Sequence, residues 1–269
     1  MLELLEYIIL GIIQGFTEPI PVSSSGHVMI LNRILNTNID IGLLAILTNF
    51  GSLIAIIFLY RDRIKSLFLD FVSYLKKGNV SSKENFRYTI LLIIATIPAG
   101  VMGLVVTKLG LFDFLEKNIK FVGITLLITA IFLFLIRNIK GEKDNKKITL
   151  KDAIIIGLFQ VIALVPGISR SGSTIVGGML RNLKRETAFD FSFLLYIPIS
   201  VATTILGFKD LFTSNLSFIT IIYYLIATVI AGIVTYFATK WFRNVVKEGK
   251  LIYFVIYCLI VGSLVIIFL

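Results

Sequence analysis

The chain has a single cysteine, Cys258, and a single histidine, His27. A lone cysteine excludes an intrachain disulfide and any multi-cysteine metal centre, so Cys258, set in the last apolar run, is read as packing. Charge is scarce as well. Asp, Glu, Lys and Arg make up 16% of the residues, against about a quarter in an average soluble domain. No cation precedes Arg33, and Glu3 and Glu6 open the chain. The basic start of a signal peptide is therefore missing, and no cleaved segment is expected.

What fills the chain instead is hydrocarbon. Hydrophobic residues reach 57% and the mean hydropathy is +0.94, values of an integral membrane protein. Apolar runs recur at Ile41 to Tyr60, Tyr88 to Val106, Phe121 to Ile136, Thr187 to Phe208, Phe218 to Thr239 and Leu251 to Leu269. Each approaches the length that spans a bilayer as a helix, so six crossings are expected.

A net charge of +10 could suggest nucleic acid, but its distribution argues against that partner. Of the 26 Lys and Arg residues, 20 fall in four segments, Arg61 to Arg87, Arg137 to Lys151, Arg181 to Arg185 and Lys240 to Lys250. The intervening loops are poor in cations: Asp113 and Glu116 offset those of Lys108 to Lys120, and Asp210 stands beside Lys209. The positive-inside rule makes the four basic segments cytoplasmic and places both termini outside.

Two segments, Gly11 to His27 and Gly157 to Ser173, match without gaps at an offset of 146 residues. Gly11 pairs with Gly157, Gln14 with Gln160, Ser23 with Ser169, Ser25 with Ser171 and Gly26 with Gly172. The differences separate their chemistry. The first copy has Glu18, Ser24 and His27 where the second has Leu164, Arg170 and Ser173.

Basic segments flank the second copy on both sides, so it is expected to enter the membrane and return as a helix, a turn near Pro166 to Ser171, and a second helix. By repeat symmetry the first copy, turning near Pro19 to Ser25, enters from the other face. The expected fold is an all-α integral membrane protein, a single polytopic domain over 1–269 with an inverted repeat, about 1–137 and 150–269. Each half is one re-entrant hairpin followed by three crossings. Irregular backbone at membrane depth is tolerated only around a cavity or site, so Glu18, Ser24, His27 and Arg170 are expected to converge. Smaller signals are capping boxes at Thr149-x-x-Asp152 and Ser81-x-x-Glu84, and an amphipathic stretch, Arg63 to Lys77, with Ile64, Leu67, Phe68, Phe71 and Leu75 on one face, expected along the cytoplasmic surface.

A charge at mid-membrane costs roughly 2.5–3.5 kcal/mol even on the lenient insertion scale, so Glu18 and Arg170 are paired or functional. A structural ion pair alone would not need the hydroxyls around them. Ser23, Ser24 and Ser25, and Ser169, Ser171, Ser173 and Thr174, sit at the starts of the returning helices, where free N–H groups favour an anion. Arg170 adds a fork suited to phosphate. His27 is a candidate general base or acid for Ser24, three residues earlier. Glu18 could orient His27, act as the base, or bind a divalent cation with Gln14, one helical turn away. The sequence leaves these alternatives open. An inverted repeat with broken helices also suits a transporter or lipid flippase; transport does not require the Ser24 and His27 pair.

Taken together, these residues resemble the bacitracin-resistance family of undecaprenyl-diphosphate phosphatases over nearly the full length. Gln14-Gly-Phe-Thr-Glu18 resembles the family's Glu/Gln-x-x-x-Glu signature, and Pro21-Val-Ser-Ser-Ser-Gly-His27 its Pro-x-Ser-Ser-x-Gly-His box. Pro166-Gly-Ile-Ser-Arg-Ser-Gly-Ser-Thr174 resembles its Pro-Gly-x-Ser-Arg-Ser-Gly-x-Thr box, and Phe191 to Pro198 the segment that follows. Pro19 and the pair Thr48 and Asn49 depart from the usual pattern. The resemblance implies a multi-pass cell-membrane enzyme that hydrolyses a C55 polyprenyl diphosphate to the monophosphate and phosphate, recycling the carrier lipid for cell-wall synthesis. It implies Glu18, Ser24, His27 and Arg170 as principal active-site residues, with Gln14, Ser23, Ser169, Ser173 and Thr174 supporting. It also implies a divalent cation, Mg2+ or Ca2+, and a site on the outer side. A homodimer is compatible with the sequence, which does not fix oligomeric state.

Overall fold

The computed structural model describes residues 2–110, 118–213 and 216–269, with the side chains of 209–213 set aside. Asp113, Glu116, Lys209 and Asp210, charges of the cation-poor loops, lie outside the described residues or side chains.

The described residues form α-helices and short 3-10 turns, with one isolated backbone bridge between Lys143 and Leu183. The first hairpin is α1 (Leu2–Thr17) and α2 (Ser24–Leu35). Then come α3 (Ile41–Leu59), α4 (Arg61–Lys77), α5 (Lys83–Lys108) and α6 (Ile119–Ile136). The second hairpin is α7 (Leu150–Ile162) and α8 (Arg170–Leu180). It is followed by α9 (Arg185–Thr213), α10 (Phe218–Glu248) and α11 (Ile252–Phe268).

Five stretches, Ile41–Leu59, Val80–Lys108, Ile119–Ile136, Arg185–Phe208 and Phe218–Glu248, are long and apolar enough to cross a membrane. The sixth expected crossing is the apolar helix α11, which is shorter at 17 residues. Ile54, Phe58, Ile97, Ile131, Phe237 and Ile260 are each more than a third exposed. So much apolar surface would be an aggregation liability in water, and it marks a lipid-facing belt. The protein is therefore an all-α, multi-pass membrane protein.

The main core wraps the second hairpin and includes Ile175, Val176, Met179, Phe189, Phe191 and Phe242. Cys258 is fully buried in it as a free thiol. Close helix approach depends on the repeated glycines. A Cβ at Gly11 would lie 2.7 Å from Ala227 O on α10, and one at Gly157 would lie 2.6 Å from Ala95 O on α5. Each hairpin thus lays its first helix against a long helix of the opposite half.

The four basic segments gather at one end of the bundle. Lys146 pairs with Glu84 at 3.1 Å, Arg181 with Asp152 at 2.8 Å, and Lys247 with Glu186 at 3.3 Å. Thr149 and Asp152 form the expected capping box on α7. Ser81 and Glu84 do not form theirs. The chain makes a 3-10 turn over Val80–Ser82, capped by Asn79, whose carboxamide oxygen accepts from both Ser81 N and Ser81 Oγ. With the Ser81 hydroxyl taken, α5 starts without a side-chain cap. The amphipathic stretch is helix α4, with Leu67 buried and Phe71 stacked 5.2 Å from Phe86.

Candidate functional site

Between α1 and α2 the chain turns through residues 18–23, and between α7 and α8 through 163–169. Ser23 caps α2, its hydroxyl accepting from Gly26 N at 3.3 Å; Ser169 caps α8, accepting from Gly172 N at 3.1 Å. These are the repeat-related serines. The tips touch reciprocally. A Cβ on Gly26 would lie 3.2 Å from Gly167 Cα, and one on Gly172 3.1 Å from Pro21 Cβ. Pro21 and Gly167 are themselves related by the offset of 146. Ser171 Oγ adds a bond to Ile20 O at 3.2 Å.

The second tip is anchored from α6. Thr125 Oγ1 donates to Pro166 O at 2.8 Å, and Thr129 Oγ1 accepts from Ser169 N at 3.2 Å. Gly167 sits at φ +87, where a side chain would run into Thr125. Only glycine meets both demands.

At the contact, Glu18 is the hub. Its Oε1 accepts from Arg170 Nη2, and its Oε2 accepts from the Ser24 hydroxyl and from Gln14 Nε2, the last at 2.8 Å. The carboxylate is buried, and Arg170 is largely shielded, with 21% of its side chain exposed. Arg170 also donates Nη1 to Ser200 Oγ at 3.2 Å, and its guanidinium lies 3.9 Å from the ring centre of Tyr196. Ser24, half-buried at the rim, has its proton directed at a carboxylate. Such an arrangement can raise the nucleophilicity of a hydroxyl.

His27 is buried but does not reach Ser24. Its Nδ1 lies 2.8 Å from Ser23 O and its Nε2 2.7 Å from the Tyr257 hydroxyl. A carbonyl can only accept, so Nδ1 carries the proton, and in the neutral ring Nε2 accepts from Tyr257. Ser23 is one of three described non-glycine residues at positive φ, with a value of 68, a conformation that needs support in a residue with a Cβ. The His27 ring supplies some of it through the Ser23 carbonyl.

The remaining expected residues divide in two. Thr174 bonds Ser192 at 2.5 Å, and Ser169 and Ser171 lie 3.3 Å apart at their hydroxyls. Ser173 is buried with no hydrogen-bond partner for its hydroxyl, and Ser25 is exposed, 3.3 Å from Ser23 Oγ. Gln14 leaves its own Oε1 buried without a partner among the described residues. The space bordered by Glu18, Arg170, Ser171, Thr174, Ser192 and Tyr196 is about 10 Å3, close to the volume needed for one water.

Sequence reading missed Tyr196, Ser200 and Tyr257. Ser192, Tyr196 and Ser200 recur every fourth residue along α9, a polar stripe that could have been read. Tyr196 is steadied in turn by Asn49, whose Oδ1 accepts its hydroxyl at 2.5 Å. Nothing local marks Tyr257, which meets His27 across 230 positions.

The fold and site define a polytopic membrane protein organised around a buried acid, hydroxyl and guanidinium cluster at the junction of two hairpin tips. Residues 7–264 match the family model described as Bacitracin resistance protein BacA. The chain is 48% identical over 272 residues to Undecaprenyl-diphosphatase 1 of Bacillus licheniformis, covering 99% of this chain and 98% of the relative. It is 44% identical to Undecaprenyl-diphosphatase 2 of Bacillus thuringiensis, with coverage of 99% and 98%, and 42% identical to Undecaprenyl-diphosphatase of Oceanobacillus iheyensis, with 99% and 97%. The chain belongs to the bacitracin-resistance protein BacA family.

Proposed function

We propose that this chain is a membrane phosphatase that hydrolyses undecaprenyl diphosphate, or a similar polyprenyl diphosphate, to the monophosphate and inorganic phosphate. One observation carries the reading beyond the relatives' names: Glu18, Ser24 and Arg170, from hairpins far apart in sequence, form one hydrogen-bonded unit.

The terminal phosphate of the lipid competes with Glu18 for the Arg170 fork, since a guanidinium binds phosphate as well as it binds a carboxylate. As Arg170 turns to the phosphate, Glu18 is left to take the Ser24 proton. Ser24 Oγ then bonds to the terminal phosphorus, the anhydride P–O bond breaks, and the polyprenyl monophosphate leaves with the electron pair. Water hydrolyses the phosphoserine, releasing phosphate and restoring the serine. Phosphoryl transfer depends mainly on placement and charge stabilisation, which Arg170 and the helix N-termini supply. His27 acts as a positioning residue that holds the Ser23 turn, and Tyr257 fixes its ring.

Gln14 and Glu18 suit a hard divalent cation, Mg2+ or Ca2+: the unpartnered Gln14 Oε1 lies buried beside a carboxylate. Among the described residues no group of three His, Cys, Asp or Glu gathers into a full cage. That leaves the Mg2+-like pattern of few protein ligands completed by water and phosphate. When bound, such an ion would neutralise phosphate charge.

The reciprocal contacts of the tips, and of Gly11 and Gly157 with opposite halves, support an inverted repeat of about 1–137 and 150–269, with re-entrant hairpins. The gathering of the basic segments supports a cytoplasmic location for that end. The termini and the rim of the first hairpin then face outward.

The test is phosphate release by purified protein in detergent micelles, where there are no two sides to transport between, across a panel of polyprenyl diphosphates. Release at catalytic rates is expected. Lipid binding without release would leave a transporter as the better reading.

A further inference from the structure

A second polar cavity, about 500 Å3, opens at the basic end of the bundle and shares no lining residue with the site above. Its walls come from the junction of α3 and α4 and from α5, α9 and α10, with Asn145 reaching in from the loop before α7. Two of its polar atoms have no partner among the described residues. The Tyr88 hydroxyl is one, on a residue only 3% exposed, and Asn145 Oδ1 is the other. Leaving a buried polar atom without a partner is costly, so two in one cavity point to something that satisfies them.

Charge decides what that is. Three cations line the cavity, Arg63, Lys240 and Arg243, with two acids, Asp62 and Asp190. Both Asp190 oxygens are engaged, by Tyr60 at 2.8 Å and Arg243 at 3.1 Å. Asp62 has 91% of its side chain exposed and pairs outward with Arg61 at 3.9 Å. Arg63, held by Asn85 at 2.9 Å with its guanidinium 5.1 Å from the Tyr88 ring centre, makes no ion pair among the described residues and keeps its charge over the Tyr88 ring. Among the described residues Lys240 likewise bonds only the neutral Tyr236 hydroxyl. Leu59, Phe189 and Leu194 make the rest of the wall apolar.

We propose that this cavity is a binding site for an anionic phosphate group, held by Arg63, Lys240 and the Tyr88 hydroxyl, with Asn145 turning its amide to donate. The apolar wall accommodates the first carbons of a chain attached to that phosphate, as basic pockets between membrane helices do for lipid headgroups. The site is independent of the hydrolytic reading, because it shares no lining residue with the space beside Glu18 and Arg170.

The test is a binding titration of purified full-length protein with short-chain phosphatidylglycerol and, separately, inorganic phosphate. Saturable binding is expected that weakens about tenfold or more in Tyr88→Phe and in Arg63→Gln, the loss typical of a hydrogen bond or contact to a charged group. Phosphate release from a polyprenyl diphosphate stays at the wild-type rate in both variants. Tyr88→Phe removes only an unpartnered hydroxyl, and an unchanged unfolding midpoint verifies that the protein is intact. Loss of the phosphatidylglycerol signal alone assigns a lipid headgroup; loss of both signals assigns the phosphate itself. Affinity for both probes unchanged in both variants, or no saturable binding by wild type, overturns the proposal. An inactive wild type with the Tyr88-dependent binding intact would instead count against the hydrolytic reading alone.

Discussion

Glu18 and Arg170 stand 152 positions apart in sequence and form one ion pair across two hairpin tips. The pair places the carboxylate that accepts from the Ser24 hydroxyl and the guanidinium proposed to bind phosphate on either side of one contact. In the proposed reaction, substrate arrival and base release are therefore a single event.

Replacing Arg170 tests this directly. Arg170→Ala should lower kcat/KM about 10^3-fold or more, as losing a preorganised charge at a phosphoryl-transfer site does. It should also destabilise the fold by about 3–5 kcal/mol, because Glu18 stays buried without its partner. Adding Glu18→Gln should recover much of that stability and none of the activity. Thermal unfolding and phosphate release on the same samples separate the two effects.

Ser24 is assigned the attacking oxygen. Rapid quenching of wild-type enzyme with substrate labelled at the terminal phosphate should capture label on Ser24, and Ser24→Ala should abolish both label and turnover. Turnover of Ser24→Ala within about tenfold of wild type would point to direct attack by water. Glu18→Gln should slow the step by about 10^2- to 10^4-fold, the range for a missing general base.

Much of this arrangement is legible in the sequence alone. The offset of 146 residues, with Glu18 opposite Leu164 and Arg170 opposite Ser24, announces two loops of complementary charge. The spacing of Ser23, Gly26, Ser169 and Gly172 announces helix caps. What the sequence withholds is long-range or depends on competition. Ser24 and His27 are three residues apart and look like partners, yet the ring turns back to the Ser23 carbonyl and out to Tyr257. A carbonyl on the preceding turn and a hydroxyl 230 positions away leave no trace in local spacing. The Ser81 capping box fails for a similar reason, since Asn79 captures its hydroxyl first.

If His27 positions the Ser23 turn, Tyr257→Phe should be mild. It removes one neutral hydrogen bond, about 0.5–1.5 kcal/mol of stability, and should lower kcat less than about tenfold with KM unchanged. His27→Ala frees the strained Ser23 turn and should cost more of both. His27→Gln, which can still donate to the Ser23 carbonyl, should recover part of the loss. Failure of that rescue, with a fully folded protein, would mean that the ring exchanges protons in the reaction.

The unpartnered oxygen of Gln14 makes a separate prediction about the divalent ion. A chelator should reduce phosphate release, and added Mg2+ or Ca2+ should restore it. Gln14→Ala should raise the metal concentration needed for half-maximal rate by about tenfold, since the ion loses one of few protein ligands. A metal response identical to wild type would remove Gln14 from the ligand set.

The base of the second hairpin should respond to acid. Asp152 is fully buried, with Lys143 Nζ at 2.9 Å and Arg181 Nε at 2.8 Å. Burial pushes its carboxyl up, but the Thr149 backbone N–H, the Lys143 ammonium, the Thr149 hydroxyl contact and Arg181 together outweigh that and hold it below the usual carboxylate range. A depressed native value means that the folded protein holds the charged form more firmly than the unfolded chain does. The resulting stability is fully present above the ordinary carboxylate value and is lost as pH falls through the native one. The unfolding midpoint of wild type should therefore drop as pH falls below about 4, the ordinary Asp value. In Asp152→Asn that part of the drop should be missing, while its midpoint at pH 7 should already be lower, with Lys143 and Arg181 left facing a neutral amide. Because α7 leads into the turn just before Arg170, the same substitution should also reduce phosphate release at pH 7. Parallel pH curves for wild type and variant would show that Asp152 does not set this acid limit.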